Sequence, residues 1–405
     1  MRRAICLGGI CGVVIAALAG IEITAGYFVP AWPARALRWT RPPVGPTANS
    51  WGMYDVERKI TKPADVQFRA VFVGDSFIQG SPDQPTPPAV VEGLAAESGL
   101  KGLEAINLGV AGTDPRSYYY RTRDVALSLS PDAVLVFFFS GNDFMERGEG
   151  YGDGWVPPLV DESPGAAVLG NVMSRTNWLL INRLRMSESL RSSKPIPDEN
   201  ETLNSIVHGP PEQRVPRLMQ HMKRYYYPEI SEERLTEIIS RGGEDFWRPF
   251  KKQEAPQGWL VNLMVQAEVN DIPINAIRTP DDAAKLINGQ DIEATLSWLV
   301  GLNRLAAARK IPLRVYVIPT ANVSPDFVEF WKPWPRYLGW YVFSDVRHQK
   351  LVDALHHSTV PFVDLRPDLL GVRGAYRLTD AHWSARGVQI VAKRVYGELN
   401  NMALH

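Results

Sequence analysis

Apolar positions along this chain fall into short dense runs separated by polar turns that carry glycine. The run Ala70-Val71-Phe72-Val73 breaks at Gly74, and Asp75-Ser76 follow at once. Apolar runs of this length, bounded by turn signals and rich in β-branched and aromatic residues, read as buried strands. The criterion predicts strands over 69–73, 104–110, 133–139, 313–318 and 360–365. Helices are predicted between and after them, over 89–98, 116–127, 291–310, 345–357 and 387–399. Within 291–310, Ile292, Leu296, Leu299, Leu302 and Leu305 share one face. Strands that alternate with helices predict an α/β domain, and strands without polar alternation predict a parallel sheet covered on both faces.

The rhythm is interrupted from Gly150 to about Gln290 by a stretch rich in Pro, Trp, Tyr and charge. Only 232–241 and 258–269 look helical there, so this stretch reads as a mostly helical insertion over the sheet edge. Tyr118-Tyr119-Tyr120 and Tyr225-Tyr226-Tyr227 have the aromatic content for a carbohydrate platform, although packing is the better reading. The expected organisation is 1–29 signal anchor, 30–65 linker and lead-in, 66–149 first half of the domain, 150–290 insertion and 291–405 second half.

The anchor reading rests on Arg2-Arg3 followed by the uncharged run Ala4 to Ile21, with apolar character resuming after Glu22 through Val29. That length favours a retained transmembrane helix, N-terminus inside, with the rest of the chain extracytoplasmic. Cleavage after Ala17-Leu18-Ala19 would instead give a secreted protein.

Composition narrows the function classes. The chain has 405 residues, 45% of them hydrophobic, and Lys+Arg and Asp+Glu both number 44. A near-zero net charge argues against a nucleic-acid partner. The cysteines, Cys6 and Cys11, both lie in the apolar N-terminus, so the folded part has neither a disulfide framework nor a thiolate metal site. His208, His221, His348, His356 and His357 lack metal-ligand spacing and read as surface or packed residues. No Walker A loop, G-x-G-x-x-G, H-E-x-x-H or G-x-S-x-G occurs, and no cofactor is expected.

Ser76, in a polar turn at the C-terminal end of a buried strand, stands where open α/β sheets place their chemistry. A serine there is a nucleophile if a base reaches its hydroxyl. Four blocks give that turn its company. Gly74-Asp75-Ser76 follows the first strand, and Asn107-Leu108-Gly109-Val110-Ala111-Gly112 follows the second. Ser140-Gly141-Asn142-Asp143 follows the third, and Asp380-Ala381-His382-Trp383 precedes the last helix. In this order they resemble the blocks of SGNH (GDSL-type) hydrolases, over roughly 66–145 and 311–400. The resemblance implies a flavodoxin-like three-layer fold with a five-stranded sheet ordered 2-1-3-4-5. It implies Ser76 as nucleophile, His382 as base and Asp380 as orienting carboxylate. It also implies an oxyanion hole from the N–H groups of Ser76 and Gly112 and the amide of Asn142.

Two features depart from the family pattern. One residue, not two, separates Asp380 from His382, and Asp-x-His-Trp resembles the motif of alginate O-acetylation proteins, where it precedes the serine. Ser140 stands where the family places glycine, which a negative φ would tolerate. Asp75 and Asp143 are the fallback carboxylates, expected to shape their own turns, while Thr113, Asp114 and Tyr118 are expected to pack locally. The expected activity is serine-dependent acyl-ester chemistry, by hydrolysis or O-acyl transfer, on an acylated small molecule or, by preference, an extracytoplasmic polysaccharide. A lipase or thioesterase of the same fold is the alternative within the enzyme class, and a non-catalytic glycan-binding protein is the alternative outside it. Acyl group, acceptor and oligomeric state stay open at this point.

Overall fold

Alternate residues of each central strand feed two separate apolar cores. Ala70, Phe72, Ala105, Leu135, Phe137 and Tyr316 point to one, and Val71, Val73, Ile106, Val134, Val136 and Val315 to the other. With both faces covered there is no solvent side, which is why these strands read as unbroken apolar runs.

A computed structural model describes residues 2–29, 48–81, 84–145, 173–182, 205–225, 230–243 and 258–403, together with Thr202. In chain order its elements are α1 (Arg2–Ala25), β1 (Phe68–Gly74), α2 (Ser76–Gln79), α3 (Pro87–Glu97), β2 (Leu103–Gly109), α4 (Pro115–Asp124) and β3 (Ala133–Phe139). Then follow α5 (Ser174–Asn182), α6 (Pro211–Tyr225), α7 (Glu232–Ser240), α8 (Gly258–Val269), α9 (Pro280–Leu286) and α10 (Gly289–Ala307). The chain closes with β4 (Leu313–Ile318), α11 (Pro325–Trp331), α12 (Pro335–His356), β5 (Phe362–Asp364), α13 (Arg366–Leu369) and α14 (Ala385–Ala403). The five strands pair in parallel in the order β2-β1-β3-β4-β5, as the sequence predicts.

Helices α3 and α14 cover the first core through Val90, Val91, Val388, Val391 and Val395. Helices α4 and α10 and the end of α12 cover the second, through Tyr118, Tyr120, Ile292, Leu299 and Leu355. The first two tyrosine-run residues named here are therefore core, not platform. The Tyr225–Tyr227 side chains lie outside the described residues.

Helix α12 starts ten positions before the predicted 345. Pro335 occupies its first turn, where a missing N–H costs nothing. Its opening turns carry Tyr337, Trp340, Tyr341 and Phe343 on several faces, and that hides the helical period. Helix α1 occupies the expected anchor, whose side chains are described only from position 12. Among the described residues no helix is long and apolar enough to cross a membrane. Glu22 near the end of α1 accepts the N–H groups of Arg175 and Thr176, at 2.8 and 3.0 Å, and so caps α5.

Candidate active site

The strand ends β1, β2 and β3 deliver three turns to one edge of the sheet. The first is built by Asp75. Its carboxylate accepts the N–H of Phe77 at 2.9 Å and caps α2, whose first residue is Ser76. N–H groups in a first helical turn have no intrahelical partner, so the Ser76 N–H is a donor at the start of α2. Helix α2 crosses close above β2: a Cβ at Gly109 would lie 2.1 Å from the Gln79 nitrogen, so only glycine fits there.

The Ser76 hydroxyl lies 2.8 Å from His382 Nε2. The other ring nitrogen, Nδ1, faces two acceptors on Asp380: the main-chain carbonyl at 3.0 Å and carboxylate Oδ1 at 3.4 Å. With the proton on Nδ1, Nε2 can accept the serine O–H, which also lies 3.3 Å from Asp75 Oδ2. Asp380 Oδ1 also accepts the His382 main-chain N–H at 2.8 Å. Both fit because Ala381 between them is left-handed, with φ of +57°. That conformation folds the one-residue spacing back on itself. Arg377 approaches the other carboxylate oxygen at 3.5 Å. The imidazole rests on Phe77, ring centroids 4.8 Å apart, and Phe77 meets the buried Trp383 edge-on.

The charges reinforce this order. Burial acts to lower the His382 pKa, but the hydrogen bond and charge of Asp380, aided by Asp75, raise it above its ordinary value. Burial acts to raise Asp380, and the His382 hydrogen bonds and charge, with Arg377, bring it below the usual range. Asp75 is fully buried, and burial pushes its carboxyl up to about 6 although Phe77 N–H and His382 pull the other way.

The third turn is held from below. Asp143 accepts the Phe139 N–H and the Tyr118 hydroxyl, each at 2.6 Å. Burial and the charge of Asp75 push its carboxyl well above the ordinary range. Ser140 has no positive φ, and its hydroxyl meets His348 Nδ1 at 2.7 Å. His348 is fully buried and its Nε2 reaches Asp364 at 3.0 Å. The loop after β2 is tied by Thr113 to the Val110 carbonyl and by Asp114 to the Ser117 N–H. Gly112 there has φ of +70° and open space around the position of a Cβ.

A cavity of about 550 Å³ opens over Ser76 and His382, with Asn142 and Ala111 in its wall. Gly112 itself is not part of that wall. Most of the remaining wall is apolar and comes from α8, the turn 273–276 and α12, including Leu263, Ile274, Tyr337 and Trp340. Sequence reasoning missed Ala381, Phe77 and this wall. Nothing in the spacing marks a left-handed alanine, and the wall comes from three separate segments.

No family model and no curated protein matches this chain. Among solved structures it is similar to the lipase/acylhydrolase from Enterococcus faecalis, at 12% identity over 82% of this chain and 96% of that one, with a TM-score of 0.32. It is also similar to a GDSL-like lipase from Bacteroides thetaiotaomicron VPI-5482, at 10% identity over 83% and 89% of the two chains, with a TM-score of 0.31. An acetyl xylan esterase from Geobacillus stearothermophilus gives 12% identity, 83% and 95% coverage and a TM-score of 0.33. Likeness this distant carries no weight for the chemistry, which rests on the side-chain geometry.

Proposed function

We propose that this chain is a serine-dependent acyl-ester enzyme in which Ser76 is the nucleophile, His382 the general base and Asp380 the carboxylate that orients it. The observation that carries the reading is the 2.8 Å contact between Ser76 Oγ and His382 Nε2, with Asp380 behind Nδ1. Ser76 Oγ attacks the ester carbon while its proton passes to His382 Nε2. The carbonyl oxygen becomes an anion, stabilised by the N–H of Ser76 and the amide of Asn142, both of which line the cavity. Collapse breaks the bond to the alcohol oxygen, which leaves with the proton from His382. A water or an acceptor hydroxyl, deprotonated by the same imidazole, then releases the acyl group from Ser76.

A fluorophosphonate that mimics the tetrahedral adduct tests the assignment. Its phosphorus is expected on the peptide containing Ser76, and labelling of any other serine contradicts the reading.

Hydrolysis is the reading we adopt. Transfer to a glycan hydroxyl needs an acceptor site, and the described wall of the cavity is largely apolar. Millimolar glycan oligomers with an acyl donor distinguish the two, since acylated sugar in the product would establish transfer. We also infer a retained N-terminal anchor with the site outside the membrane. Val13, Ile15, Ile21 and Ile23 of α1 are exposed, which suits a lipid surface. The full chain is then expected to stay in the membrane fraction after alkaline carbonate extraction, and release would contradict anchorage.

A further inference from the structure

Two cavities meet at the candidate site, and their linings differ. They share Ser76, Phe77, Asp380 and His382 and no other residue. The larger, of about 550 Å³, continues past Asn142 between aromatic and aliphatic side chains such as Phe139, Leu263, Ile272 and Trp340. The smaller, of about 170 Å³, is walled on its polar side by Ser81, Gln84 and Arg377. We propose that these cavities sort the ester by its halves: a medium-chain acyl group enters the larger, and a small hydroxylated alcohol occupies the smaller.

The inference rests on the proposed ester chemistry, and that chemistry fixes which half goes where. The oxyanion develops on the carbonyl oxygen of the acyl half, so that half lies beside Asn142, which lines only the larger cavity. The departing alcohol oxygen takes its proton from His382. Arg377 and Trp383, which flank the histidine turn, line only the smaller cavity. Size agrees with this arrangement. With about 30 Å³ for a water-sized group, an acetyl would leave most of the larger cavity empty, whereas an eight-carbon chain takes up roughly half of it. Apolar walls gain about threefold to fourfold in binding for each methylene buried.

The test uses the full chain and p-nitrophenyl esters from acetate to dodecanoate. kcat/KM is expected to rise with acyl length from acetate, with octanoate at least a hundredfold above acetate. A maximum at acetate, or a flat profile, overturns the proposal. Ala267→Trp narrows the larger cavity and should lower the octanoate-to-acetate ratio at least tenfold. A folded variant with an unchanged ratio overturns it, and the wild-type series decides alone if the variant does not fold. Calorimetry on Ser76→Ala reads the cavity without turnover. Octanoate should bind at least tenfold more tightly than acetate, and equal binding overturns the proposal. Octanoate binding with no turnover of any ester by the wild type would instead fault the ester chemistry and leave the cavity assignment standing. For the alcohol half, octanoyl glycerol should be preferred to pentyl octanoate at least tenfold, and Gln84→Leu should narrow that preference. Parity between the two esters contradicts the role of the smaller cavity.

Discussion

His382 and Ser76 lie 306 positions apart, yet the imidazole Nε2 and the serine hydroxyl are 2.8 Å from each other. Two local devices hold them. Asp75 caps the short helix that presents the serine, and Asp380 holds the far side of the imidazole through a left-handed alanine. The distance is thus set by turns, not by long side chains reaching across the site.

The left-handed Ala381 can be tested by size alone. A β-branched residue there is strained by about 1–3 kcal/mol, whereas glycine adopts φ near +57° freely. Ala381→Gly is expected to keep kcat within a fewfold. Ala381→Val should reduce kcat by about a hundredfold or more while the protein remains folded by circular dichroism. Equal activity of the two variants would show that the turn does not position His382.

Asn142 shares the cavity with Ser76, where a developing oxyanion would sit. Asn142→Ala should lower kcat about a hundredfold to a thousandfold with little change in KM. An effect confined to KM would make the amide a ground-state binder.

The pH dependence follows from two raised pKa values of opposite meaning. In the proposed mechanism His382 acts as the neutral base, so the acid limb of kcat/KM should have its midpoint above the ordinary 6.5. Asp75 contributes to that elevation, and Asp75→Asn should move the limb down. The Asp75 carboxyl itself titrates near 6 when folded against 3.8 in its ordinary state. Its contribution to stability is therefore complete below 3.8 and is lost as pH rises through about 6. Asp75→Asn should be more stable than the wild type at pH 8, by on the order of 3 kcal/mol, with no advantage at pH 4. Melting temperatures at both pH values check this, and a pH-independent difference would contradict it.

Ser140, His348 and Asp364 form a hydrogen-bonded chain under the turn that carries Asn142, its first two members buried. His348→Leu leaves the buried Ser140 hydroxyl short of a partner, which costs about 1–3 kcal/mol, whereas Asp364 keeps the Arg366 N–H and water. The combination Ser140→Gly with His348→Leu should recover part of that loss, because the hydroxyl is gone. Chemical denaturation of the three proteins measures it, and strict additivity of the two substitutions would argue against a direct contact.

Much of this was legible in the sequence, for particular reasons. β3, 133–139, was predicted to the residue because a strand buried on both faces is apolar at every position. Ser76 stood in a polar turn at the end of a buried strand, and the ordered blocks that resemble SGNH hydrolases implied that Asn142 and His382 join it. What could not be read depends on long-range packing. His348 has no sequence signal that links it to Ser140, 208 positions away. The start of α12 was hidden by aromatic residues that serve both a core and a cavity. The apolar wall from 263–274 and 337–341 appears only when α8 and α12 are placed side by side over Ser76.

The most direct test of the account is the rate of Ser76→Ala on an activated acyl ester, measured beside the wild type with both proteins shown to be folded. The account predicts a loss of about four to six orders of magnitude in kcat, down to the residual rate that the oxyanion donors and binding alone sustain. Activity within tenfold of the wild type would contradict it and remove Ser76 from the chemistry.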